Sequence, residues 1–148
     1  GKYVQKYTDK EVILWDGYCF VHEKLDAKML QEFKEQNPEA EVIAHPEANP
    51  EVLQEAHHIC GTGGMAKYAL KSKARNFVIA TECGMTDRLR LDVPNKNFFA
   101  FCNLCPFMKS TSLELAARSL TKNIHKIELD KKLMDNARRA IERMMELT

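Results

Sequence analysis

The chain reads as an α/β protein, a three-layer α/β/α arrangement around a mainly parallel sheet. Short apolar runs alternate with longer stretches of helical period, and Pro, Gly and Asn punctuate most of the changes between them. Polar side chains recur just past the expected strand ends, at Cys19, His22, His45, Glu47, Thr62, Glu82 and Cys105. So many chemically capable groups on one rim exceed what packing needs. In open α/β sheets that rim collects ligands, because loops converge there and the following helices begin there.

The 148 residues suffice for one ordinary domain, which at this size buries about 68–70% of its unfolded surface. Lys and Arg number 22 against 21 Asp and Glu, a net charge of +1. That balance gives no electrostatic reason to expect nucleic acid or an anionic membrane as partner. The five cysteines, Cys19, Cys60, Cys83, Cys102 and Cys105, accompany no signal peptide and no long apolar run. An odd, scattered set of this kind suggests a reducing cytoplasm, with the thiols free for metal, catalysis or core packing.

The first ten residues are polar and begin abruptly, as if entering a larger unit. Glu11–Trp15 is an apolar run expected as a buried strand, stopped by DGYC, which leaves Cys19 just past its end. Leu25, Met29, Leu30 and Phe33 recur at helical spacing behind a capping Asp26, and NPEA ends that helix. Glu41–His45 is the next strand. Asn49 caps a helix with Pro50 at its first position, running to about His57, with His57 and His58 at an exposed helix end. His58–Cys60 makes a brief strand, and Gly61–Gly64 opens a helix to about Lys73. Its glycine-rich start presents backbone N–H groups suited to an anion, with the Thr62 hydroxyl beside them. Asn76–Thr81 is a strand, a short helix follows Met85, and Phe98–Phe101 is the strand that delivers Cys102 and Cys105. Ser110 or Thr111 caps a helix to about Leu120, His125–Leu129 is a strand candidate, and Asp130 starts a final amphipathic helix. Met144 and Met145 on that helix read as core packing.

Cys102 and Cys105 in FCNLCPFMK form a C-x-x-C that fits a zinc half-site, a redox dithiol or two apolar cysteines equally well. A thioredoxin-like dithiol belongs early in its fold at a helix start, and a zinc site needs two more ligands at short spacing. Neither condition is met here. Cys60 and Cys83 read as structural.

Four stretches in order, GYCFVH, VIAHPE, CGTGGMAKYA and ATECGMTDRL followed by CPFMK, make the chain resemble the C-terminal half of quinolinate synthase over essentially its whole length. The resemblance implies three similar α/β domains about a pseudo-threefold axis, each giving one cysteine to a single [4Fe–4S] cluster with one open iron. Cys19 and Cys105, 86 residues apart, would be two of the three ligands, and the first would lie outside this sequence. Residues 1–20 would end one repeat, 21–104 would form a nearly complete one, and 105–148 would return towards the first domain. The implied reaction condenses iminoaspartate with dihydroxyacetone phosphate to quinolinate in cytoplasmic NAD biosynthesis, downstream of an L-aspartate oxidase or dehydrogenase. Glu47 would carry protons with His45 as partner, while His22, His45, Glu47 and Thr62 would bind substrate. Such a chain would need the N-terminal half of the enzyme and would be inactive alone. The family usually has cysteine where this chain has Ala48 and serine where it has Gly61. Some members of the family place a further cysteine three residues before a cluster ligand, where it can form a disulfide that competes with ligation, so the resemblance makes Cys102 either a redox switch or a rim thiol without a role.

Overall fold

A computed structural model describes residues 1–147. The chain divides into two units, Gly1–Lys109 and the segment from Ser110 onward. In order, the first unit holds α1 (Lys2–Gln5), α2 (Phe20–Glu23), α3 (Ala27–Gln36), β1 (Glu41–Ala44), α4 (Pro50–Glu55), β2 (His58–Ile59), α5 (Thr62–Lys71), β3 (Asn76–Glu82), α6 (Cys83–Asp92), β4 (Asn97–Asn103) and α7 (Pro106–Lys109). The second holds α8 (Leu113–Lys122) and α9 (Lys131–Glu146).

The four strands form one sheet in the order β2-β1-β3-β4, and every pair is parallel. β3 lies inside it, with Ile79 opposite both Ile43 and Ala100, and is buried from Phe77 to Glu82. Strand residues alternate between faces, and the core divides accordingly. Val78 and Ala80 pack with Val42, Ala44, Leu30 of α3 and Val52 and Leu53 of α4. Phe77 and Ile79 pack with Ile43, Met65 and Ala69 of α5, and Leu89 of α6. The expected α/β/α layering is therefore present in this unit. Because β2 lies on one side of β1 and β3 on the other, the strand order reverses at β1, and the crevice between the C-terminal ends of β1 and β3 is the place where such sheets bind ligands.

Several local expectations hold. Asp26 Oδ1 accepts from the N–H groups of Lys28 and Met29, and Asp130 Oδ1 accepts from Leu133 N–H. Others are corrected. Glu11–Trp15 is not a strand: Ile13 and Trp15 are 91% and 90% exposed, and Val12 N–H donates to the Gln5 side chain. An apolar run becomes a strand only where a neighbour accepts its ladder bonds, and none lies beside this one among the described residues. His125–Leu129 is not a strand for the same reason, with Ile127 84% exposed. α4 stops at Glu55, and His57 pairs with the edge of β1, its Nδ1 accepting Val42 N–H at 2.9 Å. His58 stacks on Tyr68 at 3.9 Å between ring centroids. Ser112, not Ser110 or Thr111, caps α8. In the second unit Met144 and Met145 are exposed rather than packed into a core.

Asn49 joins local and tertiary structure. Its Oδ1 caps α4 by accepting Val52 N–H, while its Nδ2 donates to the carbonyls of Glu23, the last residue of α2, and of Leu25 just beyond it. Asn49→Ala should lose about 2 kcal/mol, roughly half from the cap and half from the unpaired carbonyls. A urea unfolding curve with unchanged slope and a lower midpoint is the expected result.

Candidate functional site

The C-terminal ends of the strands carry the polar groups. β1 runs into His45-Pro46-Glu47, while β3 ends on Thr81 and Glu82, both buried. Above them sits the single turn of α2, with Cys19 at its N-cap and Val21 and His22 buried. Residues three apart in a helical turn share a side, so Cys19 and His22 point into the same space. The His22 Nε2 lies 2.8 Å from Thr81 Oγ1, and its Nδ1 is 3.0 Å from Glu47 Oε2. That second contact is close but not aligned as a hydrogen bond, and Nδ1 is buried without a hydrogen-bond partner. Cys19, His22 and Glu47 each bring one donor atom within 4.8 Å of the others.

His45 lies face to face with His22, 4.4 Å between ring centroids and 10° between planes. Its Nδ1 accepts the Glu47 backbone N–H at 3.3 Å, which places the proton of the neutral ring on Nε2. Burial pushes the His45 pKa below its ordinary value and the neighbouring His22 ring adds to the shift, while Glu47 opposes it. Glu47 remains open to solvent, its side chain 56% exposed.

Cys105 lies on the same edge, just past β4. Its N–H donates to Glu82 Oε1, and Glu82 Oε2 accepts Gly84 N–H at 2.7 Å. Lys109 Nζ lies 3.4 Å from Glu82 Oε1. The loop is tied to α2 from both sides: Asn103 Nδ2 donates to the Val21 carbonyl, and Phe107 meets Phe20 edge to face at 5.9 Å. Cys19 and Cys105 are both half-buried free thiols, on adjoining loops and not in the core. Thr62, exposed at the start of α5, shares this edge but makes none of the contacts that join the trio. Ala48 is packed in the core, so an apolar side chain suits that position. A Cβ on Gly61 would meet nothing within 4 Å, so no packing demand keeps a serine out.

An open cleft of about 690 Å³ borders Cys19 and Glu47 and is also lined by Lys2, Lys6, Trp15 and Tyr18. Its size suits a small molecule. Sequence reasoning did not select the cleft lysines, because nothing local distinguishes them from other surface cations. Thr81 also went unselected, since in NFVIATE it reads as one more strand residue.

Cys102 is not paired with Cys105. It forms a disulfide with Cys83, their Cα atoms 5.0 Å apart. β4 extends to Asn103, which puts Cys102 within the ladder beside the end of β3 and the first residue of α6. The rival reading of Cys102 and Cys105 as a dithiol or zinc pair is therefore not met, and three of the five cysteines are free instead of all five. Burial raises the pKa of one of them, Cys60.

A parallel sheet covered by helices on both faces, with thiol, imidazole and carboxylate groups converging where its strand order reverses, defines an α/β protein of the open-sheet class, whose strand ends are where such folds commonly place ligands. The family model described as quinolinate synthetase A protein matches residues 1–146, and the chain belongs to that family. It is 40% identical over 147 residues to the quinolinate synthase of Geobacter sp. (strain M21), covering 98% of this chain and 48% of the relative. It is 39% identical over 145 residues to that of Methanosarcina barkeri, with 97% and 48% covered, and 36% identical over 155 residues to that of Cyanophora paradoxa, with 100% and 47% covered. The chain thus spans about half the length of the curated relatives it matches. No helix among the described residues is long and apolar enough to cross a membrane.

Two measurements check this geometry. NMR titration should place His45 below its ordinary value of 6.5, and Glu47→Gln, which removes the one opposing charge, should lower it further. Because the fold favours the neutral ring, stability from this site is complete above the unfolded value and is lost as pH falls through the lowered one. Thiol titration of the unfolded, unreduced chain should count three reactive cysteines, rising to five after reduction.

Proposed function

We propose that this chain supplies the substrate-facing part of a quinolinate synthase, which condenses iminoaspartate with dihydroxyacetone phosphate in NAD biosynthesis. The observation that carries this reading is the convergence of Cys19, His22, His45 and Glu47 beside the Cys105 loop, in a chain of that family.

The donors suit a [4Fe–4S] cluster, since Cys19 and Cys105 are free, half-buried thiols on adjoining loops and such clusters are held by thiolates. They would be two of three ligands, the third coming from the rest of the enzyme. When bound, the cluster supplies a Lewis acid at an iron that no cysteine holds. Glu47 is suited to proton transfer: its carboxylate borders the cleft and stays exposed while its backbone is held against His45. Loss of water and phosphate needs such a group to take up and return protons near the reacting carbon. His45, with Nδ1 occupied, keeps Nε2–H as a donor for a substrate oxygen. His22 orients Glu47, and Lys2 and Lys6 on the cleft wall offset substrate negative charge. Thr62 adds a hydroxyl for a carboxylate or phosphate oxygen reaching the start of α5.

In the complete enzyme, Glu47→Gln should retain about four irons yet lose turnover by roughly 10²–10⁴-fold. The 148-residue chain alone should neither keep four irons nor form quinolinate, and anaerobic mixing with the N-terminal half should restore both. Ordinary turnover by Glu47→Gln would remove Glu47 from proton transfer, and a chain active by itself would overturn the two-part reading.

A further inference from the structure

We propose that Cys19, His22 and Glu47 form a mononuclear site for a borderline transition cation of the Zn²⁺ type, distinct from any cluster ligation and competing with it for Cys19. The inference stands on the trio itself and not on the reaction assigned above.

The three donor atoms already lie within 4.8 Å of one another. Tetrahedral zinc, with bonds of about 2.0–2.3 Å, holds its donors roughly 3.3–3.8 Å apart, so the widest separation in the trio need close by at most about 1–1.5 Å while the 3.0 Å gap between His22 Nδ1 and Glu47 Oε2 opens slightly. Thiolate, imidazole and carboxylate are all zinc ligands, and three protein donors leave a fourth position open. The second observation is independent of that spacing. His22 is only 7% exposed, and its buried Nδ1 has no hydrogen-bond partner while facing Glu47 Oε2 at 3.0 Å. A buried nitrogen left unpaired is costly, and a native structure rarely keeps one without a reason. In the tautomer whose Nε2–H donates to Thr81 Oγ1, the Nδ1 lone pair is unused and lies beside a carboxylate without being aligned on it, and a cation placed off the line between the two atoms satisfies both. The Thr81 contact also orients the ring, as partners behind a ligating histidine generally do. His45 is not a fourth ligand, because it meets His22 face on and its Nδ1 is taken by Glu47 N–H.

Binding converts the Cys19 thiol to thiolate and releases its proton. A cation held here therefore occupies a thiolate that the cluster would otherwise use, and the two occupants exclude each other.

Co²⁺ is the probe, added anaerobically to the reduced, iron-free 148-residue chain. The expected result is one equivalent bound, with tetrahedral d–d absorption and a thiolate-to-cobalt charge-transfer band, both abolished by stoichiometric Zn²⁺. Cys19→Ser should remove the charge-transfer band, Glu47→Gln should weaken binding, and Thr81→Val should weaken it by about 10–100-fold. Cys105→Ser should leave the spectrum unchanged. Glu47→Gln alters only an exposed side chain, so it tests the site without threatening the fold. Absence of bound Co²⁺ in a chain whose circular dichroism shows it folded would overturn the proposal. So would a charge-transfer band that survives Cys19→Ser or disappears in Cys105→Ser. The quinolinate reading fails by a different result, full turnover of Cys105→Ser in the complete enzyme.

Discussion

The parallel ladder of β3 with β1 and β4 is the constraint on which the remaining structure depends. A strand buried on both faces can satisfy its backbone groups only through its neighbours. Once Ile79 lies between Ile43 and Ala100, the helices have fixed surfaces to cover, and all four strands end on one edge. His45, Thr81, Glu82 and the Cys105 loop meet there because strands in parallel point the same way. His45 N–H donates to the Ala80 carbonyl, so the ladder itself carries into the first residue of the site.

That edge places a costly set of groups together. Burial favours the neutral form of His45, and the His22 ring stacked against it adds to that preference. Glu47 faces both rings and opposes that shift while staying in contact with solvent. A carboxylate placed this way is open to the cleft and still held by its neighbours, the placement that the proposed proton transfer requires and a freely mobile surface glutamate lacks.

The side towards Cys105 is built differently. Glu82 is nearly buried, and its carboxylate is satisfied by the backbone N–H groups of Gly84 and Cys105 together with Lys109. Charge-assisted bonds of this kind hold a loop closely. The Cys83–Cys102 disulfide binds the same two strand ends one step away, which keeps the Cys102 sulfur committed and leaves Cys105 as the free thiol of the pair. The two free thiols flanking α2 and α7 thus sit on loops restrained by different means.

The order of elements was legible in the sequence because its signals are local. Asp26, Asn49 and Asp130 cap the helices that their neighbours suggested, and the apolar runs within Glu41–His45 and Asn76–Thr81, short and bounded by turn residues, read as buried strands. Of the candidate site residues, His45, Glu47 and Cys105 were visible as polar groups at strand ends, whereas His22 was placed behind a strand, Glu11–Trp15, that does not form; the four motifs tied all of them to one family. Tertiary structure alone decided whether an apolar run finds a partner, which is why Glu11–Trp15 looked like a strand and is not one. It alone decided which cysteine lies near Cys102, since a disulfide depends on the distance across the sheet and not along the chain. The partnership of Thr81 with His22, 59 residues apart, was equally hidden, because a hydrogen bond between distant residues leaves no mark on the local pattern of either.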